Sequence, residues 1–569
     1  MRKISILLLI VLVSFNLNAQ KRRPMTVQIN YVFKEHGEIQ NADGIRTLIA
    51  TDFYSKAMTI KAGMKLIAET PIEAEFVSFA DSMVYNTAQL KDGSRIYSQS
   101  KFSDFPIVTI TDDTTKILNY PCKKATCIIN SNKIEIWFTT EMGFKGSPRM
   151  GYGLVDGMVL RVLRNGNSEI KADKIEFFKD LKELKPKELG TKLENAVYRS
   201  YLTNSFVTTI PIYKDHQLSW GNKNENPKGE ILDSIYRFAG GTIILKKVKL
   251  PKFSSDYQVF AELIQYSNGD AYDRTGSIFI IPTDKEKSLL TAMLNKDLNT
   301  IPIFEDKTGK KYYGTSATAD FSPIIELIRF FTPFGIRQYN EKSKVVGQTW
   351  ENQAYYKEEI TELLPQLQGE VWIGAYIGNY DKGGHKISLD LKYYPNSDTV
   401  NNGPDKKVWI YPAFSTVNVL EMAGGGYGTL FGTDSLKIEV NVPKGVKNIM
   451  LRYISTGHGG WDGGDEFNKK INQIFVDDKL QFSYIPWRTD CGTFRKYNPA
   501  SGNFWNGTSS SDYSRSGWCP GSSSEPMYIP MTHLSEGKHI ITIAIPMGKP
   551  EGGSVSSWNI SGVLIGSYE

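Results

Sequence analysis

The stretch "SLKIEVNVPKGVKNIMLRYIS" at residues 435–455 decides the fold. Leu436, Ile438, Val440 and Val442 alternate with polar residues and run into a Pro-Lys-Gly turn. Successive strand side chains point to opposite faces, so this spacing predicts a β-strand with one buried face. The pattern recurs in "KHIITIAIP" (538–546) and "WNISGVLIG" (558–566). Upstream it appears in "GGTIILKKVKLP" (240–251), "GSIFIIP" (276–282) and "HKISLDLKYYP" (385–395), each ending at a proline or turn. Antiparallel sheets with one face on a core read this way. Two consecutive β-sandwiches of jelly-roll size fit residues 205–569, and "YYPNSDTVNNGPDKK" (393–407) is a loop or linker between them.

Ahead of them lies another β-rich region, with "SNKIEIWFTTEM" (131–142) and "GMVLRVLRNGN" (157–167) as its clearest strands. The run containing "GYGLVDGMVL" resembles a bacterial family named for its Gly-Leu-Pro-Gly-Leu-Ile stretch, a likeness that implies no function. Residues 174–190, "KIEFFKDLKELKPKELG", have a short helical apolar spacing with a late Pro and Gly, which predicts a helix passing into a linker. A boundary is expected near 190–205. In "YYKEEITELLPQLQG" (355–369), Ile360, Leu363, Leu364 and Leu367 stand at helical spacing and predict a short helix closing one end of a sandwich.

The first twenty residues, "MRKISILLLIVLVSFNLNAQ", have a basic start, an apolar run too short to span a bilayer, and a small-residue site ending at Ala19. They read as a signal peptide, and no other apolar run is long enough to cross a membrane. With 569 residues the chain exceeds one core. The expected organisation is a signal peptide at 1–19, a β-rich N-terminal domain at 20–200, and jelly rolls at 201–396 and 397–569.

A net charge of +6, from 67 basic and 61 acidic residues, is too diluted to form a nucleic-acid footprint. Aromatic residues make up 12 % of the chain, which suits carbohydrate contact or dense β-packing. The six histidines form no H-x-H or H-E-x-x-H pair, so a histidine metal site is not expected, nor is a copper monooxygenase. Four cysteines in an exported chain predict two disulfides, and sequence proximity favours Cys122 with Cys127 and Cys491 with Cys519.

The segments "GHGGWDGGDEF" (457–467) and "SRSGWCPG" (514–521), with "DAYDRTGSIFII" (270–281) and "RFFTPFGI" (329–336) upstream, resemble the peptide N-glycosidase F family, in the form with an added N-terminal bowl-like domain. The likeness covers about residues 230–569 in order. It implies hydrolysis of the amide between an N-glycan and asparagine, without metal or organic cofactor. It makes Asp273 the main catalytic carboxylate, Glu466 its companion, Arg274 and Arg515 the basic groups, and Trp518 an aromatic wall. His458, Trp461 and Tyr376 are implied substrate contacts, Tyr376 standing where the family carries a second accessory Glu. Gly378 replaces a family Trp, and the expectation is a pocket open enough for a core α1,3-fucose. N-glycosylated peptides and proteins are the implied partners of a monomeric, exported enzyme.

Amide hydrolysis needs a carboxylate to activate water and donors for developing charge, and these residues are of those types. Taken singly, each has a plainer reading. Asp273 would cap a turn, Glu466, Asp462 and Asp465 would be solvated loop acids, and His458 would be a loop histidine bonded to backbone. Arg515 would lie on the surface, and Trp518 would pack in a core on the Cys491–Cys519 bridge. A carbohydrate-binding protein without turnover is the alternative from a different class. Glu466 is expected where its loop becomes a strand, held by sheet pairing.

Overall fold

Residues 435–455 form two strands, Leu436–Val442 and Val446–His458, and in the first every second side chain is buried. The computed structural model describes residues 25–40, 45–60, 71–180, 182–184, 188–221, 225–254, 257–395, 407–421, 428–460, 463–547 and 556–568. The signal-peptide reading, with its cleavage point near Ala19, lies outside the described residues, as do Trp461 and Asp462. The fold is mostly β, and the chain divides into two compact units, Met1–Phe206 and Val207–Glu569.

The C-terminal half of the second unit is a jelly roll. One sheet runs in the order Val408–Ser415, Ser557–Tyr568, Val446–His458, Met527–Pro530, and the other Leu436–Val442, Gly537–Ala544, Asn472–Val476, Lys479–Tyr484. The chain changes sheet at each step except the hairpin of Asn472–Val476 with Lys479–Tyr484, and that alternation is the jelly-roll winding. Leu436, Ile438, Val440, Ile474, Ile541, Ile543, Ile560 and Leu564 fill the space between the sheets.

The preceding half repeats the winding. Thr208–Leu218, His385–Pro395, Tyr257–Ser267 and Ala354–Glu359 make one sheet, and Ile243–Leu250, Gly369–Ile377, Thr275–Ile281 and Ile325–Phe331 the core of the other. Ser523–Ser524, from the second roll, pairs onto the edge of Ile325–Phe331 and so continues the first roll's sheet. The two rolls also share a buried polar network. Arg329, fully enclosed, pairs with Glu326 at 2.7 Å and donates to Thr456 Oγ1 at 3.2 Å, while Glu326 accepts from Ser277 and Ser561. A buried ion pair with every member satisfied fixes geometry more than it adds stability, and here it locks the two rolls in one register.

The first unit is built on a 13-stranded sheet. Its centre is the long pair Thr26–Glu35 with Ser168–Phe178, and antiparallel meanders extend on both sides. Among the described residues of 174–190 the expected helix does not form. Lys174 to Phe178 pair with Asn30 to Thr26, and Ile175 packs on the core, so sheet hydrogen bonds override a local helical spacing. Among the described residues the unit's α-helix is Asn195–Ser205. In 355–369 the four apolar residues are buried as their spacing requires. Residues to Glu359 nevertheless belong to a strand, and the helix is a single 3-10 stretch, Thr361–Gln366, around Pro365.

The Cys122–Cys127 disulfide is overturned, since both cysteines are free. They lie on the single strand Tyr120–Ile129, where five steps separate their Cα atoms by about 17 Å, beyond any disulfide. Cys122 is buried, and burial pushes its thiol up to about 11. Cys491 and Cys519 do form a disulfide, enclosed in the second unit.

Candidate active site

Asp273 sits in the turn leading into strand Thr275–Ile281. The Thr332 hydroxyl receives the Arg274 N–H at 2.7 Å and donates to the Tyr272 carbonyl at 2.9 Å, and the Thr332 N–H returns to the Arg274 carbonyl. The peptide units on both sides of Asp273 are therefore clamped by one side chain. Asp270 completes the turn by accepting from Tyr272 N–H and, in a forked pair, from Arg274 Nε at 2.7 Å and Nη2 at 3.3 Å. Burial opposes its ionisation, but His385, with its Nε2 at 3.5 Å, and the Arg274 fork outweigh it and hold the Asp270 carboxyl below the usual range.

Glu466 is placed differently from the expectation. The strand after its loop begins only at Asn472, so sheet pairing does not hold it. Its N–H donates to the Gly459 carbonyl, and its carbonyl accepts from Ser516 N–H. Glycine is needed for this fold-back, because a Cβ at Gly464 would lie 1.9 Å from the Gly459 oxygen. Asp465 is no solvated acid either: it is buried and accepts from the Trp558 indole N–H at 2.8 Å.

Arg515 joins the two carboxylates. Its Nε donates to Glu466 Oε1 at 2.7 Å and its Nη2 to Asp273 Oδ2 at 3.3 Å. The remaining hydrogens go to the Ser510 carbonyl at 2.6 Å, the Tyr513 carbonyl at 3.3 Å and the Ser510 hydroxyl at 3.3 Å. A guanidinium has five N–H donors, so this fork is fully used within the protein. Arg515 is 1 % exposed, with its guanidinium over the rings of Phe467 and Trp518. It is neither a surface arginine nor free to grip a substrate. It is a buried support for two acids whose side chains remain 17 % and 15 % exposed.

Burial raises the Asp273 carboxyl above the usual carboxylate range; Arg515 opposes the shift and the neighbouring Glu466 charge adds to it. Burial raises Glu466 as well, against the pull of Arg515. Two acids on one cation, both pushed toward the neutral form, are suited to exchange protons with a reacting group.

Trp518 is 3 % exposed, stacks on Phe331 at 4.3 Å, and donates its indole N–H to the Gly457 carbonyl at 2.9 Å. It forms the floor under Arg515 rather than a wall facing substrate. His458 ends strand Val446–His458, lies beside the same two rings at 5.7 and 5.6 Å and bonds the Thr456 hydroxyl at 2.9 Å, not backbone. Burial and the nearby Arg329 push its imidazole down to about 3, so it is neutral. Tyr376 is also enclosed, its hydroxyl 3.3 Å from Glu421.

Glu421 carries no sequence signal and accepts from Tyr380 at 2.7 Å. The space at Gly378 is correspondingly filled: a Cβ there would come within 2.4 Å of the Tyr376 hydroxyl and 3.5 Å of Glu421. Exposed aromatic surface comes instead from Tyr272 and Tyr380, whose rings flank the Arg274 guanidinium at 5.0 and 5.7 Å. Among the described residues no cluster of His, Cys, Asp and Glu is arranged to hold a metal ion.

A family profile described as the N-terminal part of peptide-N-glycosidase F matches residues 209–393, and its C-terminal counterpart matches 426–565. A third, the N-terminal domain of an N-glycanase, matches residues 29–200. The crystal structure of PNGF-II in one space group is 40 % identical, covers 96 % of this chain and 100 % of its own, and superposes with a TM-score of 0.86. The chain belongs to the peptide N-glycosidase F family.

A second crystal form of PNGF-II gives 40 % identity and a TM-score of 0.79, over 96 % of this chain and 98 % of its own. PNGase F, a glycosylasparaginase from Flavobacterium meningosepticum, matches at 16 % identity over 64 % of this chain and 96 % of its own, with a TM-score of 0.42. A search of curated proteins found no match. The peptide N-glycosidase F profiles together span both rolls, and therefore Asp273, Glu466 and Arg515.

Proposed function

We propose that this member of the family is an exported glycoamidase that hydrolyses the amide between an N-linked glycan and asparagine in glycopeptides and glycoproteins. The observation that carries the reading is the meeting of Asp273 and Glu466, from different rolls, on the Arg515 guanidinium.

Hydrolysis adds a water oxygen to the side-chain amide carbon and breaks the C–N bond. The glycan leaves with the nitrogen, which takes up a proton, and the peptide keeps an aspartate. In this reading Asp273 activates the water as general base, and Glu466 hydrogen-bonds the water, the amide nitrogen or the first sugar. The donors of Arg274 not taken by Asp270 orient the substrate between Tyr272 and Tyr380. Arg515 keeps both acids in register without touching substrate. Hydrolysis of this kind consumes only water, and no metal or organic cofactor is assigned to it.

Acceptance of a core α1,3-fucose is part of the proposal, with the exposed Tyr380 ring and Glu421 rather than an opening at Gly378 as the groups beside it. The surroundings of Gly378 move the relevant rim to Tyr380 and Glu421. Release of glycan from a plant glycopeptide at a rate comparable to a mammalian one supports this extension, and release from the mammalian peptide alone contradicts it. The amidase reading itself is tested with Asp273→Ala, which should abolish turnover while glycopeptide binding persists. Unchanged turnover removes Asp273 from the chemistry, and binding with no turnover in the parent protein leaves a lectin.

A further inference from the structure

The first unit holds a cavity of about 520 Å³ that the amidase reading does not use. We infer that it is a second carbohydrate site, taking a neutral sugar residue between Arg46, Glu73, Glu75, Asn86, Arg149 and Tyr198.

The sheet brings these groups to one face. Arg46 stands between Tyr31 and Thr59 across adjacent strands, and Glu75 between Ala57 and Asn86. Glu73 is two residues from Glu75 and shares its face. Tyr198 enters from helix Asn195–Ser205, and Arg149 from the turn at 148–150.

Their hydrogen-bonding capacity is largely unspent. Arg46 gives its Nε–H to the Pro148 carbonyl at 2.8 Å, and its four terminal hydrogens meet no acceptor among the described residues. Glu75 accepts from Met150 N–H through Oε1 at 2.8 Å and through Oε2 from nothing described. Tyr198 is 5 % exposed and lines the cavity, yet its hydroxyl has no partner among the described residues. Tyr31 differs, because its hydroxyl is fixed on the Val159 carbonyl at 2.6 Å. Arg46, Glu75 and Asn86 are half-buried and Glu73 and Arg149 exposed, so water can meet their free donors and acceptors until a ligand replaces it.

The mixture of charges selects the ligand. Burial pulls the Arg46 guanidinium down, Glu75 and Glu73 oppose that shift, and Arg149 reinforces it, so both signs surround one group. A simple anion would meet Glu73 and Glu75, and a cation would meet Arg46 and Arg149. A zwitterionic peptide end needs its two charges segregated, and here they interleave. Sugar hydroxyls both donate and accept, and so can answer each group in turn. The Tyr152 ring, under the Arg149 guanidinium at 5.5 Å, offers an apolar face for ring C–H groups. Taking that sugar from an N-glycan rests on the amidase reading.

The test is calorimetric titration of the full chain with a free high-mannose N-glycan, which contains no asparagine amide and binds whether or not the amidase reading holds. Arg46→Met and Arg149→Ala should each weaken binding by about tenfold or more, and neither should change kcat on a short glycopeptide. The Arg149 side chain is exposed and makes no hydrogen bond among the described residues, so its removal keeps the test valid if Arg46→Met fails to fold. Unchanged affinity in Arg149→Ala, or displacement of the glycan by a dipeptide or by citrate, overturns the inference. Glycan binding without glycopeptide turnover refutes the amidase reading alone.

Discussion

Asp273 and Glu466 face the same guanidinium, 3.3 Å and 2.7 Å from two nitrogens of Arg515. The acids come from separate jelly rolls, and Arg515 is fixed by the Ser510 and Tyr513 carbonyls before it reaches either. Lysine has no planar fork and cannot hold both acids and both carbonyls together. Arg515→Lys should therefore lower kcat by about a hundredfold, the size of effect a small misplacement of reacting groups produces, with KM little changed. Steady-state kinetics on one glycopeptide checks this, and a rise in KM at constant kcat would make Arg515 a substrate contact.

The pH profile reports the same coupling. A general base works deprotonated, so activity should rise with pH through the raised Asp273 value, and the acid limb should lie above the ordinary carboxylate range. The Glu466 charge is one cause of that rise, after burial. Removing it with Glu466→Gln should move the acid limb of the residual activity to lower pH. The kcat/KM profile of parent and variant decides this, and a limb that stays in place or moves upward contradicts it.

The acids and the arginine were legible because each sits in a short ordered motif, and the disulfide was legible from Cys491 and Cys519. What surrounds them was not. Glu466 looked like the start of a strand because alternating residues follow it, but its fold-back on Gly459 is a loop contact with no periodicity. Trp518 and Tyr376 looked like substrate contacts from their place in motifs, and burial depends on partners such as Phe331 and Glu421 far away in sequence. The jelly rolls were legible from period-two spacing. The helical spacing over 174–190 misleads because the strand that Lys174 to Phe178 pair with, Thr26–Glu35, lies at the other end of the unit.

The Cys491–Cys519 bridge anchors the loop that carries Arg515 and Trp518. Replacing both cysteines by serine should cost about 3.5 kcal/mol from loop closure alone. Activity should fall at denaturant concentrations where the rest of the second unit is still folded. Urea unfolding followed in parallel by fluorescence and turnover measures both, and coincident curves with no loss of stability would contradict the prediction.

The two remaining cysteines should behave as free thiols. Peptide mapping without reduction should find the bridge Cys491–Cys519 and leave Cys122 and Cys127 open to alkylation, Cys122 the slower in the folded protein because of its burial and raised thiol pKa. A mapped Cys122–Cys127 peptide would contradict the strand Tyr120–Ile129.

Mass spectrometry of a purified glycopeptide treated with the protein in heavy-oxygen water reports the amide cleavage itself. The expected result is loss of the whole glycan, aspartate at the former glycosylation site carrying one heavy oxygen, and no conversion by Asp273→Asn. Intact glycopeptide, or a sugar remnant left on asparagine, would contradict it.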